Sequence, residues 1–145
     1  MKNETEAGDI RKTSRTYRIA RTSVFTALCV IGSFIRLPSP IPTVAFDSSP
    51  GFFTALYYGP LDGAIVTGTG HIITSIINGY PLGVLHLPIA LGMAVAGAAI
   101  GLVNRSNYGR SFIPATAIGI GINTVLFVVA VPAIGWIAAL SLIPE

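Results

Sequence analysis

Charged residues are scarce in this chain. Lys, Arg, Asp and Glu make up 10% of its 145 residues, against about 25% in an average soluble domain. Between Arg36 and Arg105 the only formally charged residues are Asp47 and Asp62. Hydrophobic residues account for 52% of the chain, and its mean hydropathy is +0.71. This composition excludes an ordinary soluble domain and indicates an integral membrane protein.

Other shortages exclude whole classes of function. No lysine follows Lys12, so the chain lacks the lysine that a P-loop ATPase needs. The single cysteine, Cys29, excludes an internal disulfide and a cysteine-rich metal site. Two histidines, with no HExxH or GxSxG motif, are thin support for a catalytic metal or a serine hydrolase. We therefore predict no enzymatic activity, no cofactor and no bound metal.

Long apolar runs are what the chain does have. They cover residues 19–34, 61–77, 82–103 and 112–131, and each is close to the length of a membrane-spanning helix. The sequence predicts an all-α, multi-pass transmembrane bundle of about five helices. This single domain, 19–145, follows a polar and basic tail, 1–18. Residues 132–145 hold an apolar run too short to cross, which predicts either an outer loop or a chain that stops before a final helix.

Basic residues predict how the chain is threaded through the membrane. The tail, Arg21 at the start of the first helix and the loop at 104–111 carry eight of the nine Lys and Arg residues, and such basic segments face the cytoplasm. An even number of crossings must therefore precede that loop. Residues 37–50 contain four prolines and cannot form a regular helix. The missing crossing must be a short one near 50–59, and we predict a cytoplasmic N-terminus in the cell membrane. The net charge of +3 follows from these basic flanks and gives little support to a nucleic-acid partner.

Polar side chains within the apolar runs are the candidates for function, because hydrocarbon excludes them unless they face a cavity or one another. On the helix at 61–78, five polar or small residues fall within an arc of about 80°: Gly63, Thr67, His71, Thr74 and Asn78. They either line a ligand site or bond to neighbouring helices. Aromatic residues at 46–58 could form a wall against a ring-shaped ligand. The candidate substrate-binding residues are Asp47, Ser48, Phe52, Thr67, His71, Thr74, Asn78, His86 and Asn123.

Two of these candidates, Asp47 and His86, have a simpler interpretation that the sequence leaves open. Asp47, followed by Ser48, is placed to cap the helix that begins near Pro50. His86 lies near a helix end, where it could simply contact water at the membrane interface. Asn123 lies within an apolar helix and is expected to be buried with a partner.

Small residues predict close contacts between helices. Gly59 and Gly63, and likewise Gly97 and Gly101, are four residues apart. In the first helix Ala20, Ser23 and Ala27 form a smooth groove. That groove either packs within this chain or receives another protein.

Three runs of sequence carry a family resemblance: FDSSPGFF, YGPLDGAIVTGTGHIIT and NGYPLGVLHLPIALGMA. Over roughly residues 20–131 the chain resembles the substrate-binding S components of energy-coupling-factor (ECF) vitamin transporters. It is most similar to members associated with α-ribazole, a cobalamin precursor. The resemblance implies six helices and a vitamin pocket near the outer face. It also implies partnership with a transmembrane T component and two ATPases.

The resemblance assigns roles to particular residues. It implies that the pocket involves Asp47, His71, Asn78 and His86. The A-x-x-x-A docking motif of the family falls on Ser23 and Ala27, with serine in the first position. The sixth helix of the family is not completed in this chain, which predicts a missing or truncated C-terminal helix. The start, Met1-Lys2-Asn3, lacks the N-terminal histidine of the cobalt and nickel members and argues against a metal ion as cargo.

The leading hypothesis is therefore an S component that captures a vitamin-like molecule at the outer face of the membrane. A second hypothesis is a solitary transporter or channel in which Asp47 and His71 relay protons. A third, ranked well behind, is a small membrane metalloenzyme that uses His71 and His86.

Overall fold

The fold is all-α, as the sequence predicts. The computed structural model describes residues 2–35, 46–80, 82–106 and 112–141, with side chains described over 14–35, 46–80, 82–106 and 112–126. These residues form no strand. They form five α-helices and two short 3-10 turns, Phe46–Ser48 and Gly83–Leu85. The helices are α1 Lys2–Ser33, α2 Ser49–Tyr57, α3 Pro60–Ile77, α4 His86–Arg105 and α5 Phe112–Ser141.

Two helices are longer than the apolar runs that predict them. Helix α1 begins at Lys2, so helical structure extends through the polar segment 1–18; the division of the chain at residue 18 stays a prediction. Helix α5 continues to Ser141. The prediction of an outer loop after residue 131 is therefore wrong for residues 132–141. Residues beyond Pro132 are mainly Ala, Ile and Leu, and transmembrane helices tolerate a proline whose freed backbone groups find other partners.

Helix α2 runs in the direction opposite to α1 and α3. Its preceding turn lies against the C-terminal part of α1, where a Cβ added at Gly32 would be 2.5 Å from the carbonyl oxygen of Phe46. At the other end of α2, Tyr58 meets Arg21 of α1 and Arg105 of α4. Helix α4 runs back from α3, so Arg21 and Arg105 lie at the same end of the bundle. This agrees with an even number of passes before the basic loop, although the orientation in a membrane stays a prediction.

Glycines allow the central helices to approach closely. A Cβ added at Gly97 of α4 would lie 2.6 Å from the carbonyl oxygen of Gly63 in α3. A Cβ at Gly101 would lie 2.3 Å from the backbone nitrogen of Pro60. Both distances are shorter than any carbon side chain tolerates. The close packing predicted from the spacing of these glycines is confirmed.

The bundle carries its bulky apolar side chains outside and its small and polar ones inside. The buried polar residues include Thr54, Thr67, Thr74, Ser75 and His86, and half of the buried apolar residues are alanines. Large apolar side chains are exposed on several helices: Ile19, Val24, Leu61, Leu87, Leu91, Val95, Leu102 and Ile113. A soluble protein rarely exposes apolar surface on this scale. This distribution suits a hydrocarbon surrounding.

One helix in the described part of the chain is long and apolar enough to cross a membrane by itself, namely Gly83–Arg105. The described part of α5, Phe112–Leu126, is apolar but shorter. The number of crossings predicted from the sequence, four before the basic loop and about five in all, therefore stays a prediction.

Candidate functional site

Two histidine rings meet where α3 packs against the start of α4. His86, the first residue of α4, is buried, and its Nδ1 lies 2.8 Å from Ser75 Oγ and 3.2 Å from His71 Nε2. Its Nε2 accepts a hydrogen bond from the backbone N–H of Leu82 at 3.2 Å. His71 and His86 are fifteen positions apart in sequence. The structure thus joins the only two histidines of the chain in one polar cluster.

The turn between α3 and α4 fixes this arrangement. Helix α3 ends in a Schellman motif, in which Tyr80 N bonds to Ser75 O at 2.7 Å and Gly79 N bonds to Ile76 O at 3.1 Å. Gly79 has φ 84° and Tyr80 has φ 54°. A bulky residue with positive φ is uncommon and strained. That backbone places the Tyr80 ring 4.8 Å from the ring of His86, so an aromatic side chain joins the cluster.

Asp47 reaches the same end of α3 from the turn that precedes α2. Its carboxylate accepts hydrogen bonds from Thr74 Oγ1 and Ser48 Oγ, each at 3.4 Å. Burial raises the pKa of the Asp47 carboxyl above its usual value, and the Ser48 and Thr74 hydroxyls oppose that shift. An acidic group kept in such surroundings at a cost in solvation is typical of a functional site.

Asp47 does not occupy the N-cap position of helix α2 in the structure. The N-cap of α2 is Ser48, and its side chain makes no capping hydrogen bond. Pro50, in the first turn of the helix, needs no hydrogen-bond acceptor because it has no N–H. The Asp47 carboxylate instead bonds to Thr74 on another helix.

The polar stripe of α3 divides between two tasks. Thr67 is buried and its hydroxyl lies 2.7 Å from the carbonyl oxygen of Met93 in α4, which is the helix-bridging role left open by the sequence. Three turns from the start of α3, His71 and Thr74 turn towards the cluster. Asn78 is exposed at the C-cap, and its side-chain amide donates to Thr74 O at 2.8 Å. The C-terminal part of the stripe, with His71, Thr74 and Asn78, therefore belongs to the cluster, whereas the N-terminal part around Thr67 serves helix packing.

Two further candidates lie apart from the cluster. Phe52 packs against the core residues Ala55, Ile100 and Ala115 between α2, α4 and α5. Asn123 is exposed on α5, so the expectation that it is buried is wrong. Ile120, Gly121, Thr124 and Val125 are exposed as well, so in the described part of the chain no helix covers this side of α5.

The predicted aromatic wall also lies elsewhere. Phe53 stacks on Phe25 of α1 at 5.6 Å between ring centroids and on Tyr57 at 5.8 Å. Tyr58 continues this row, with the guanidinium carbon of Arg21 4.7 Å from its ring centroid. The row therefore leads to the basic end of the bundle. Tyr80, which sequence reasoning did not select, supplies the aromatic ring beside the histidines.

A buried ion pair at that basic end was also missed. Asp62, in the first turn of α3, is 3% exposed and pairs with Arg18 and Arg21 of α1. The distance from Arg18 Nε to Asp62 Oδ1 is 3.1 Å. The signal was present, because Asp62 is one of only two acidic residues in the long apolar region and the two arginines share a helix face at i and i+3.

The small residues of α1 point away from the bundle. Ala20, Ser23 and Ala27 are all exposed, whereas the opposite face of the helix buries Thr22, Cys29 and Ser33. Packing within the described part of the chain does not use the predicted groove.

Comparison with known families identifies the class of protein. A sequence model described as "ECF transporter, substrate-specific component" matches residues 17–143. The chain therefore belongs to the family of S components of ECF transporters, which are membrane proteins and transporter subunits rather than enzymes. Membership implies association with an ECF module, made of a T component and ATPases. No curated protein and no solved structure matches the chain.

Proposed function

We propose that this S component binds a small, polar, ring-containing molecule at the cluster formed by Asp47, Ser48, His71, Thr74, Ser75, Asn78, Tyr80 and His86. The observation that carries the proposal is the junction of an acid, two imidazoles and a strained tyrosine at one end of an otherwise small-residue bundle. The sequence resemblance to the α-ribazole subgroup makes α-ribazole the first candidate substrate.

The chemistry of the cluster suits such a ligand. Asp47 offers a hydrogen-bond acceptor, and His71 and Asn78 offer polar groups on the adjoining helix. The Tyr80 ring provides an apolar surface against which a flat heterocycle can stack. Binding sites for small molecules combine a few placed polar groups with aromatic walls in this way. The cluster lies at the end of α3 opposite the basic residues, which suits capture from outside the cell.

We propose that the exposed face of α1 receives the T component. Ala20, Ser23 and Ala27 would let a partner helix approach the backbone closely. The partner is the T component because family membership implies that module, and because the described helices leave this face uncovered. ATP hydrolysis would then take place on the partner ATPases.

Ligand binding provides the test of the proposed function. The full chain, purified in detergent, is titrated with α-ribazole by calorimetry, and copurified small molecules are identified by mass spectrometry. We expect binding without ATP, and we expect Asp47→Asn to weaken it by about tenfold or more through loss of a charge-assisted hydrogen bond. Asn123→Ala, an exposed amide outside the cluster, serves as the matched control and should bind like the wild type.

Two results would count against this proposal. If neither α-ribazole nor any copurified molecule binds, the cluster is not a substrate site. If Asp47→Asn and Asn123→Ala behave alike, binding occurs elsewhere. Uptake into vesicles that lack the T component and the ATPases, driven by a proton gradient, would instead favour a solitary transporter.

A further inference from the structure

The hydrogen bonds around His86 define where its proton lies. A backbone N–H only donates, so the bond from Leu82 N requires an unprotonated Nε2 on His86. An imidazolium has no acceptor nitrogen, so His86 is neutral and carries its hydrogen on Nδ1. The assignment follows from the network of heavy atoms.

Ser75 extends the same reasoning. Its hydroxyl lies 2.6 Å from the carbonyl oxygen of His71, and a carbonyl oxygen only accepts. The single hydroxyl hydrogen of Ser75 is therefore donated in that bond. Ser75 Oγ must then accept the Nδ1–H of His86 across the 2.8 Å that separates them.

His71 comes last in this chain of donors and acceptors. Its Nε2 lies 3.2 Å from His86 Nδ1, which bears a hydrogen. A protonated His86 Nδ1 has no lone pair to accept a hydrogen bond, so a hydrogen on His71 Nε2 would face it without an acceptor, and Nε2 must present its lone pair instead. A neutral His71 then carries its hydrogen on Nδ1. In the part of the chain that the structure describes, His71 Nδ1 makes no hydrogen bond.

We infer that His71 Nδ1–H is a donor held for the substrate, which must offer it a hydrogen-bond acceptor. The inference rests on the proposed function of the cluster and names the class of substrate. Asp47, linked to the same helix through Thr74, can accept a further hydrogen bond from a donor on the ligand. With both imidazoles neutral, the histidines supply no cation for an anionic ligand. The cluster selects a polar ring compound that carries no negative charge and offers both an acceptor and an O–H or N–H donor.

The first test measures the histidine tautomers directly. The full chain labelled with ¹⁵N-histidine is placed in lipid nanodiscs, and long-range ¹H–¹⁵N correlation spectra report which ring nitrogen bears hydrogen. The chain has two histidines, so the variant His86→Gln suffices to assign the signals. We expect both residues to be neutral with hydrogen on Nδ1. A His71 ring that is charged, or that carries its hydrogen on Nε2, would overturn the inference without any ligand being present.

The second test uses α-ribazole as the probe. Asparagine places an amide N–H near the position of histidine Nδ1, whereas glutamine places one near Nε2. We expect His71→Asn to keep most of the affinity and His71→Gln to lose about tenfold or more, with similar thermal unfolding of the two variants. Equal or better binding by His71→Gln would contradict the inference. Failure of the wild-type chain to bind α-ribazole would count against the proposed function, and the tautomer measurement alone would then decide the inference.

Discussion

Burial disfavours the charged form of the Asp47 carboxyl, whereas the proposed binding of substrate uses that charge. Asp47 lies in the turn before α2, where burial raises the pKa of its carboxyl. A raised pKa means that the folded protein binds this proton more tightly than the unfolded chain does. The carboxyl therefore favours folding at acidic pH, and this contribution is lost as the pH rises through the folded-state pKa. At neutral pH the charged form is tolerated rather than stabilising.

Replacement of Asp47 by asparagine should separate these two effects. We expect Asp47→Asn to unfold at the same temperature as the wild type or a higher one at pH 7, because the amide carries no charge to desolvate. The difference should shrink as the pH falls and the wild-type carboxyl becomes protonated. Thermal unfolding in detergent across this pH range provides the measurement. Ser48→Ala is the control, because it removes a hydroxyl bonded to the same carboxylate but leaves its charge. This account would be contradicted if Asp47→Asn were less stable than the wild type at pH 7 and this loss became smaller at acidic pH.

At the level of residues, part of the cluster was predictable and part was not. Asp47, His71, Thr74 and His86 stand out in the sequence because polar groups are costly in an apolar chain. Tyr80 does not, since its position depends on a positive φ that no composition or periodicity signals. Asn123 is a polar residue within an apolar run, so the sequence alone does not distinguish it from a buried polar residue. Its exposure depends on which helices cover α5, and hydropathy does not encode that.

Helices α3 and α4 meet through backbone rather than through large side chains. Gly63 and Gly97 face each other, and the hydroxyl of Thr67 bridges to α4 at the same level. The spacing of small residues predicted this contact, because it marks a helix face without bulk. The spacing did not predict the ion pair of Asp62 with α1, which depends on the rotation of α1 about its axis.

Adding one methyl group at this contact should disturb the bundle. A Cβ at Gly97 would meet both Gly63 O and Thr67 Oγ1 at 2.6 Å, and neither the backbone nor the engaged hydroxyl can yield cheaply. We expect Gly97→Ala to destabilise the fold by about 1–3 kcal/mol through overpacking. Thermal or denaturant unfolding in detergent measures the effect.

Gly121 of α5 offers the matched control for that substitution. A Cβ there meets nothing within 4 Å, so Gly121→Ala should be neutral or stabilise the helix by up to about 1 kcal/mol. Equal destabilisation by the two substitutions would mean that the contact between α3 and α4 is looser than the structure has it.

Across the whole molecule, apolar bulk outside and small or polar groups inside leave two surfaces for recognition. The histidine cluster lies at one end of α3 and the Asp62 ion pair at the other, about 18 Å apart along the helix at 1.5 Å per residue. The exposed small residues of α1, Ala20, Ser23 and Ala27, lie on the side of that helix opposite its buried face and point away from both. Substrate binding and partner docking should therefore be separable by mutation.

A large side chain on α1 should abolish assembly while leaving substrate binding intact. Ala27 is exposed on the helix face proposed for docking, and a tryptophan there would hold a partner helix away from the backbone. We expect Ala27→Trp to lose copurification with the T component and ATPases when all are coexpressed. Val95→Trp, on the exposed apolar face of α4, should copurify normally and shows that bulk on the exterior is harmless elsewhere. Because Ala27 and the cluster share no contact in the structure, Ala27→Trp should retain the wild-type affinity for α-ribazole. If Ala27→Trp still assembles, another face of the bundle meets the T component, and the groove of small residues serves only as lipid-exposed surface.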